Sequence, residues 1–411
     1  MKYVVIGNSA AGIGAVEGIR QTDRNGEIAI ITDEPYHTYS RPLISYLLSG
    51  KVTEEGMNYR SCGFYKDNNC TLLANTAVTE IDAAEKNVVL SDGSRMTYDR
   101  LLVATGSSPV MPAIEGLTGV RNKYTFMSLD DARKLNAALG AGKRVLIIGA
   151  GLIGLKCAEG IHKNAARITV LDLAPQILSS ILDEDGARLV QNHLESNGIE
   201  FRLSAGVKSF KHNAAILEDG ETIDFDILVL AAGVKANTAL LNGIAKIENG
   251  IVVNEKSETT AENIYAAGDC AQTLDVSSGR SKVMALLPNA YMQGECAGIN
   301  MAGGDTRFDK ALPMNAIGFF GLHIITAGNY NGDVYTENED ETGNYKRLFY
   351  GDNKLNGYIL IGNVEKAGIY TSLIRERTPL DTIDFALVCE KPGLMAFTKE
   401  ERMAKLGGAA S

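Results

Sequence analysis

One local pattern occurs twice in this chain and restricts its fold more than any other feature. A short strand rich in β-branched residues runs into a glycine-rich turn, and apolar residues at helical spacing follow the turn. In such a turn, backbone N–H groups and the positive end of the helix dipole favour a pyrophosphate. The repeat therefore predicts two nucleotide-binding α/β units in one polypeptide.

The two copies differ at one of the three glycine positions of the motif. The second copy has a strand at residues 145–148 and a complete G-x-G-x-x-G turn, which is Gly149-Ala150-Gly151-Leu152-Ile153-Gly154. The first copy has a strand at residues 3–6 and the turn Gly7-Asn8-Ser9-Ala10-Ala11-Gly12. Ser9 stands where the backbone must approach the phosphate closely, so it is a departure that a small side chain can still fit.

An acidic residue follows the second strand of each unit, where it can accept hydrogen bonds from the hydroxyl groups of an adenosine ribose. This residue is Asp172 in the second unit and Asp33 in the first. No arginine occurs within residues 173–176, and the Asp172 carboxylate would repel a 2′-phosphate. The second unit is therefore predicted to bind NAD(H) rather than NADP(H).

Composition and charge exclude several other classes of protein. The 411 residues carry a formal net charge of −10, which attracts neither nucleic acids nor an anionic membrane. No run of about 18 apolar residues is present, and the N-terminal apolar run is too short for a signal peptide. The 6 cysteines and 5 histidines lack metal-binding spacing. We expect a cytoplasmic protein with no metal and with no nucleic-acid or membrane partner.

Three further apolar strands end in glycine, at residues 101–106, 228–233 and 263–269, and the last of them ends in Gly268-Asp269. In this order, the motifs resemble the two-dinucleotide-binding flavoproteins of the pyridine nucleotide–disulfide oxidoreductase superfamily. The resemblance implies an α/β fold with two Rossmann-like FAD and NAD(P) domains, glutathione-reductase-like, and a smaller α+β C-terminal domain. It implies an FAD-binding domain at residues 1–112 and 244–312, an NAD(H)-binding domain at 113–243 and a C-terminal interface domain at 313–411.

The resemblance also implies which residues contact the cofactors. Those for FAD are Gly7, Ser9, Ala10, Gly12, Asp33, Arg41, Pro42, Val78, Ala104, Thr105, Gly106, Asp269 and Leu287. Those for NADH are Gly149, Gly151, Leu152, Ile153, Gly154, Asp172 and Gly233. Asp269 would contact the ribityl and pyrophosphate part of FAD, and Leu287 would lie beside the isoalloxazine.

Residues 39–48 distinguish branches of this superfamily, because disulfide-reducing members carry redox-active cysteines there. This segment contains Arg41-Pro42-Leu43-Ile44-Ser45 and no cysteine, and it resembles the ferredoxin-reductase and rubredoxin-reductase branch, which includes the flavin segment of nitrite reductases. Relatives in that branch often pair a lysine with a glutamate beside the flavin, and this chain has Tyr46 and Lys156 at those positions. Both are therefore flavin-adjacent candidates, and the alternative is that Lys156 is a solvated helix residue. Met127 stands where relatives often have an arginine near the FAD adenylate.

The function implied by the resemblance is transfer of hydride from NADH to FAD, followed by transfer of single electrons to a rubredoxin or ferredoxin-like iron–sulfur protein. The chain would act alone, as a homodimer or as the reductase subunit of a larger complex. An NADH oxidase that uses oxygen or a small quinone is an alternative within the same class. A protein that senses flavin and NADH, with incidental turnover, is an alternative from another class.

Patterns in the C-terminal part predict local features. Residues 345–350 and 357–362 alternate as two strands joined by a hairpin connection at 352–357, and the acidic tract 336–341 predicts a solvated loop. Lys346 with Arg347, and Arg375 with Arg377, are candidate basic patches for an acidic acceptor protein. A capping-box pattern at 398–401 predicts a short helix over residues 402–406.

Overall fold

The structure is a computed structural model of the chain, and it describes residues 1–339, 343–400 and 402–403. The chain divides into two compact units. The first unit comprises Met1–Ser180, Leu194–Thr273 and Ser281–Asp309. The second unit comprises Ile181–His193, Leu274–Arg280 and Lys310–Ser411.

The elements of residues 1–124 begin with the first predicted strand, turn and helix. The helices are α1 (Ala10–Thr22), α2 (Ile44–Leu48) and α3 (Phe64–Asp67). The strands are β1 (Lys2–Ile6), β2 (Glu27–Ile31), β3 (Cys70–Leu73), β4 (Val78–Asp82), β5 (Asn87–Leu90), β6 (Arg95–Thr97), β7 (Arg100–Val103), β8 (Ser107–Pro109) and β9 (Lys123–Tyr124).

Residues 125–244 contain the second predicted unit. The helices are α4 (Leu129–Ala138), α5 (Leu152–Ile161) and α6 (Glu184–Ser196). The strands are β10 (Gly140–Ile148), β11 (Ala165–Leu171), β12 (Ile199–Arg202), β13 (Val207–Lys211), β14 (Ala214–Leu217), β15 (Thr222–Asp224), β16 (Ile227–Leu230) and β17 (Val234–Ala236).

The remaining residues supply the last strand of the first sheet and the C-terminal elements. The helices are α7 (Leu287–Met301), α8 (Ala367–Glu376) and α9 (Phe385–Glu390). The strands are β18 (Ile264–Ala266), β19 (Gln272–Asp275), β20 (Arg280–Val283), β21 (Met314–Phe319), β22 (Leu322–Gly328), β23 (Asp333–Glu339), β24 (Asn344–Gly351) and β25 (Lys354–Ile361).

Two parallel sheets of five strands lie within the first compact unit, in the orders β18-β7-β1-β2-β3 and β12-β11-β10-β16-β9. Their central strands are apolar and buried, as expected when both faces of a parallel sheet are covered. In each sheet the strand order reverses beside the strand that precedes a glycine turn, between β1 and β7 and between β10 and β16. Ligands of open α/β sheets bind at the carboxyl ends of the strands at such a reversal. The predicted fold with two Rossmann-like sheets is confirmed.

Helices α1 and α7 pack with their backbones in close contact. A Cβ atom added at Gly14, Gly18, Gly294 or Gly298 would lie 2.0–2.3 Å from a backbone carbonyl oxygen of the other helix. No rotamer relieves contacts of that kind, because both the added atom and the oxygen are fixed to the backbone. Helix α1 begins at the first glycine turn and α7 begins at Leu287. The helix pair therefore holds two segments expected to contact FAD at a fixed separation.

The chain passes from the first sheet to the second, and back, through two segments that lie side by side. These segments are β8 and β17, which pair in the antiparallel direction. Asn237 joins them further, because its Nδ2 donates to the carbonyl oxygen of Thr105 at 3.0 Å and its own carbonyl oxygen accepts from Thr105 Oγ1 at 2.6 Å. The N–H of Val110 donates to the carbonyl oxygen of Gly233 at 2.9 Å.

The second compact unit contains an antiparallel sheet in the order β21-β22-β25-β24-β23, and α8 and α9 contribute to its apolar core. The predicted hairpin is formed by β24 and β25, but its turn consists only of Asp352 and Asn353, with φ of +49° and +59°. The prediction of a loop at 336–341 is wrong for residues 336–339, which belong to β23. Because β23 is an edge strand, charged side chains do not oppose its formation. Residues 340–341 lie outside the described residues.

The basic patch predicted at Lys346 and Arg347 is wrong. Lys346 forms an ion pair with Glu337 and Arg347 with Asp183, and the two basic side chains are only 17% and 23% exposed. Both cations are therefore neutralised within the second unit.

The predicted C-terminal helix is described only in part. The N–H of Arg402 donates to the carbonyl oxygen of Thr398 at 2.9 Å, whereas Glu401 and residues 404–406 lie outside the described residues. Within the described ranges, no helix combines the length and the apolar character needed to cross a bilayer. In the same part of the chain, no group of three or more His, Cys, Asp or Glu side chains is arranged to hold a metal ion.

Candidate functional site

The two glycine turns have the same geometry. Gly7 and Gly149 have φ values of +118° and +115°, and each N–H donates to the last carbonyl of the neighbouring strand at 2.8 Å. A Cβ at either position would lie 2.2 Å from the carbonyl oxygen of Ala104 or Ala231, at the end of the strand across the reversal. Only glycine fits both the conformation and the space. Each turn therefore lies at the carboxyl edge of its sheet.

The helices that follow the turns begin close to the first glycine of each turn. A Cβ at Gly12 or Gly154 would lie 2.0 or 1.9 Å from the carbonyl oxygen of the first glycine of its turn, so each helix begins close to its turn. A Cβ at Gly151, the N-cap of α5, would have nothing within 4 Å. Ser9 is the N-cap of α1, and its hydroxyl makes no capping hydrogen bond. The N-terminus of α5 therefore has room for a pyrophosphate, and the N-terminus of α1 is not capped by the Ser9 side chain.

Other predicted residues meet the first turn at the same edge. Ala104, Thr105 and Gly106 follow β7, and the N–H of Ala104 donates to the carbonyl oxygen of Ile6 at 2.8 Å. Asp269 follows β18 and accepts a hydrogen bond from Ser107 Oγ at 2.9 Å. Burial raises the pKa of Asp269, although the Ser107 hydrogen bond and, to a smaller extent, the Arg41 charge lower it.

The Asp269→Asn substitution is expected to stabilise the cofactor-free protein at pH 7 and to weaken FAD binding. The pKa of Asp269 is raised in the folded state, so the protonated side chain stabilises the folded protein fully only below the unfolded-state pKa, about 3.9. This contribution to the free energy of unfolding is lost as the pH rises through the folded-state pKa. The neutral asparagine avoids that loss. Urea unfolding of the cofactor-free proteins should show a higher midpoint for the variant at pH 7 and equal midpoints below pH ~4. A difference that does not change with pH would contradict this assignment of the burial effect.

Asp172 is fixed against the second turn. Its Oδ2 accepts the N–H of Ala150 at 2.6 Å, and its Oδ1 accepts the N–H of Ala174 at 2.8 Å. Leu173, directly after it, is 74% exposed. Gly233 follows β16 with φ of +103° and has open space where a Cβ would lie. The carboxylate therefore lies at the edge of the turn, where a ribose is expected.

The corresponding acidic segment of the first sheet is arranged differently. Asp33 is exposed, whereas Glu34 is partly buried and accepts hydrogen bonds from Tyr39 Oη at 2.8 Å and Arg41 Nη2 at 2.5 Å. Tyr39 Oη also accepts the N–H of Leu129, at the start of α4, at 3.0 Å. Burial raises the pKa of Tyr39, so its phenol remains a hydrogen-bond donor. Glu34 is thus the carboxylate that the surrounding side chains orient.

The remaining residues predicted for FAD lie in separate short elements. Arg41 and Pro42 form a 3₁₀ turn with Leu43, and Arg41 Nη1 donates to the carbonyl oxygen of Met127 at 3.4 Å. Val78 is the first residue of β4 and packs partly buried against an apolar cluster. Leu287 is the first residue of α7 and is partly buried.

The structure brings Tyr46 and Lys156 together. Lys156 Nζ lies 4.8 Å from the centroid of the Tyr46 ring and forms an ion pair with Glu159. Lys51 Nζ lies 5.3 Å from the same centroid and 3.9 Å from Glu159 Oε1. The Lys156 side chain is only 18% exposed, so the alternative of a solvated helix residue is wrong. An ammonium over an aromatic ring contributes ~0.5–2 kcal/mol, more when it is desolvated.

Several of these functional candidates were not predicted from the sequence. The spacing of acidic residues predicts Asp33 rather than its neighbour Glu34. No local sequence pattern marks Ser107, Tyr39, Lys51 or Glu159. A polar residue beside a glycine strand end could have indicated Ser107. Each of the other three also contacts a residue far away in the chain, since Tyr39 contacts Leu129 and Lys51 contacts Glu159. The two turns, the fixed carboxylates and the open space together fit two dinucleotides.

Comparison with known proteins supports this geometry. The sequence profile of the pyridine nucleotide-disulphide oxidoreductases matches residues 1–294. This chain belongs to that family. The profile of the rubredoxin NAD+ reductase C-terminal domain matches residues 313–378. As a member of the family, the chain is an FAD- and NADH-using oxidoreductase. When bound, FAD would supply the ability to accept two electrons as a hydride and to release them one at a time.

Relatives in the family share most of the chain. The epsilon subunit of the NADH-dependent phenylglyoxylate dehydrogenase of Aromatoleum evansii is 33% identical over 392 residues, 92% of each chain. The rubredoxin-NAD(+) reductase of Ectopseudomonas oleovorans is 32% identical over 315 residues, 74% of this chain and 81% of the relative. The chain spans about half of the assimilatory nitrate reductase electron transfer subunit of Bacillus subtilis, with 30% identity over 388 residues and 49% of that relative covered.

A solved structure extends the agreement to the fold. The putidaredoxin reductase in a covalent complex with putidaredoxin matches with a TM-score of 0.87 and 25% identity, covering 95% of this chain and 96% of the other.

Proposed function

We propose that this flavoprotein oxidises NADH and passes the electrons singly to an iron–sulfur or rubredoxin-type protein, which is either a separate partner or a neighbouring subunit. The observation that carries the proposal is that the segment of residues 39–48 contains no cysteine, although its Arg41 forms an ion pair with Glu34, which closely follows β2 of the first sheet. Electrons therefore have no dithiol to pass through at that position. The names of the rubredoxin reductase and of the phenylglyoxylate dehydrogenase subunit support a protein acceptor.

The cysteines elsewhere in the chain support direct transfer from the flavin. Burial raises the pKa of Cys70 to about 12 and those of Cys296 and Cys389 to about 11. Burial also raises the pKa of Cys157 and Cys270, and Cys62 is exposed. A protonated thiol is a poor nucleophile, so the buried cysteines are unsuited to disulfide exchange. All six are free, which suits a reducing compartment, and we place the reaction in the cytoplasm.

The proposal assigns roles to the residues of the two turns. FAD would be held by an FAD-binding domain at residues 1–112 and 244–312, which supplies the first turn, Arg41, Pro42, Val78, residues 104–106, Asp269 and Leu287. Its ribose would contact the acidic pair Asp33 and Glu34, of which Glu34 is the oriented member. NADH would be held by residues 113–243, through the second turn, Asp172 and Gly233. Residues 313–411 would form the interface domain.

Anaerobic rapid mixing with NADH, followed by a choice of acceptors, tests the proposal. Holoprotein should lose its flavin absorbance on mixing with NADH and should turn over rapidly only when rubredoxin or a ferredoxin is added. Rapid consumption of oxygen or of a small quinone, without any protein acceptor, would establish the oxidase instead. Reduced flavin that persists with every acceptor would establish a sensing protein. Identification of an iron–sulfur protein that co-purifies with the chain would name the acceptor.

A further inference from the structure

Helices α2 and α5 pack against each other within the first compact unit, and each follows a segment proposed to bind a cofactor. Helix α2 comes directly after the turn Arg41–Leu43, and α5 begins directly after Gly151. The helices approach closely at Gly160, where a Cβ would lie 2.9 Å from the carbonyl oxygen of Ser45. The separation of these helices therefore determines how far the NAD turn lies from the segment proposed to line the flavin.

Four side chains meet at this contact, and they supply one aromatic ring, two ammonium groups and one carboxylate. The centroid of the Tyr46 ring of α2 lies 4.8 Å from the ammonium group of Lys156 and 5.3 Å from that of Lys51. Glu159, one turn after Lys156 on α5, forms an ion pair with Lys156 and lies 3.9 Å from Lys51 Nζ. Glu159 is 8% exposed and Lys156 is 18% exposed. A charge removed from water to this extent is stable only while its partners stay in place.

We propose that Lys156 of α5 is a positioning residue for NAD(H). Its ammonium, held by Glu159 of the same helix, contacts the Tyr46 ring of α2, and this bridge between the helices holds the second glycine turn at the separation that a dinucleotide requires. The inference rests on the proposed function, which assigns NAD(H) to that turn. Lys156 lies two residues after Gly154, the last glycine of the turn, so a shift at Lys156 moves the turn with it.

The helix separation affects the affinity because both ends of NAD(H) must bind at the same time. The pyrophosphate is fixed by the turn, whereas the nicotinamide must reach the flavin, so only conformations with the correct helix separation bind both. The apparent dissociation constant rises in inverse proportion to the fraction of molecules in the competent conformation. Loss of the bridge lowers that fraction without removing any group that touches NAD(H).

Titration of oxidised holoprotein with NAD+ in a calorimeter tests the inference without turnover. Lys156→Met should weaken NAD+ binding about tenfold, or about 1.4 kcal/mol, and Lys156→Arg should stay within about twofold of the wild type. Tyr46→Leu should match Lys156→Met, whereas Tyr46→Phe keeps the ring and should bind normally. The double variant Tyr46→Leu/Lys156→Met should bind no more weakly than either single variant, because both remove the same bridge.

Controls separate this role from general effects of charge and stability. Lys134→Met removes an exposed lysine of α4 and should leave NAD+ binding unchanged. FAD content should remain at the wild-type level in the Lys156 and Tyr46 variants, whereas the melting temperature of Lys156→Met should fall because Glu159 loses its closest partner. Wild-type affinity in Lys156→Met, or additive losses in the double variant, would overturn the inference. Failure of the proposed function is distinct. An oxidase or a sensing protein would still show the Lys156 effect on NAD+ binding, and a wild-type protein that does not bind NAD+ would overturn the assignment of NAD(H) to the second turn.

Discussion

Replacement of Gly294 by alanine is expected to destabilise the folded protein by about 3 kcal/mol or more and to prevent retention of FAD. The added Cβ would lie 2.0 Å from the carbonyl oxygen of Ala11 and 2.7 Å from its carbonyl carbon. Helix α7 would have to move away from α1, and α1 begins at the first glycine turn. Denaturant unfolding followed by circular dichroism, together with the flavin content of the purified protein, measures both effects.

A matched substitution separates this steric effect from the general effect of removing a glycine. Gly368 lies inside α8, and a Cβ there would have nothing within 4 Å. Gly368→Ala should therefore be neutral or should stabilise its helix by up to about 1 kcal/mol. If Gly294→Ala unfolded at the same denaturant concentration as Gly368→Ala and kept its flavin, the close packing of α1 and α7 would not be required for the fold.

The second large effect concerns the choice between NADH and NADPH. Asp172→Asn combined with Leu173→Arg is expected to lower the preference for NADH, measured as the ratio of the two kcat/KM values, by about 10- to 100-fold. The change removes a carboxylate that repels a 2′-phosphate and adds a cation that attracts it, together worth about 1–3 kcal/mol in a partly solvated site. Leu173 is 74% exposed, so an arginine fits there without repacking.

Single substitutions test the two parts separately. Asp172→Asn keeps the size of the side chain and should account for much of the change, although it disturbs one of the two hydrogen bonds with Ala150 and Ala174. Leu173→Met should leave the preference at the wild-type value. A double variant that still prefers NADH as strongly as the wild type would show that Asp172 does not determine the choice.

The sequence predicts the parts of this protein that are determined locally. The turns at Gly7 and Gly149 could be located because strand, turn and helix follow one another directly, and the geometry at both positions requires glycine. The position of Asp172 could be predicted for the same reason, since it follows β11 without an intervening residue.

Features that depend on contacts between elements could not be predicted in the same way. Glu34 differs from Asp33 only through its contacts with Tyr39 and Arg41, which the spacing of acidic residues does not reveal. The glycines of α1 and α7 are unfavourable residues within each helix by itself, and only the packing of the two helices explains them. The acidic residues of β23 predict a loop, but the segment forms a strand because an edge position tolerates charged side chains.

The pairing of β8 with β17 determines where one part of the chain can be exchanged for another. Pro109 and Val234 are directly opposite each other in the antiparallel ribbon, so the polypeptide leaves and re-enters the part that contains the first sheet at one point. Directly paired residues in such a ribbon are about 5 Å apart, a gap that a two-residue hairpin loop closes. The intervening 110–233 stretch can therefore be exchanged, through two adjacent junctions, for a homologous stretch of different coenzyme preference, provided that the replacement keeps residues 181–193, which belong to the second compact unit.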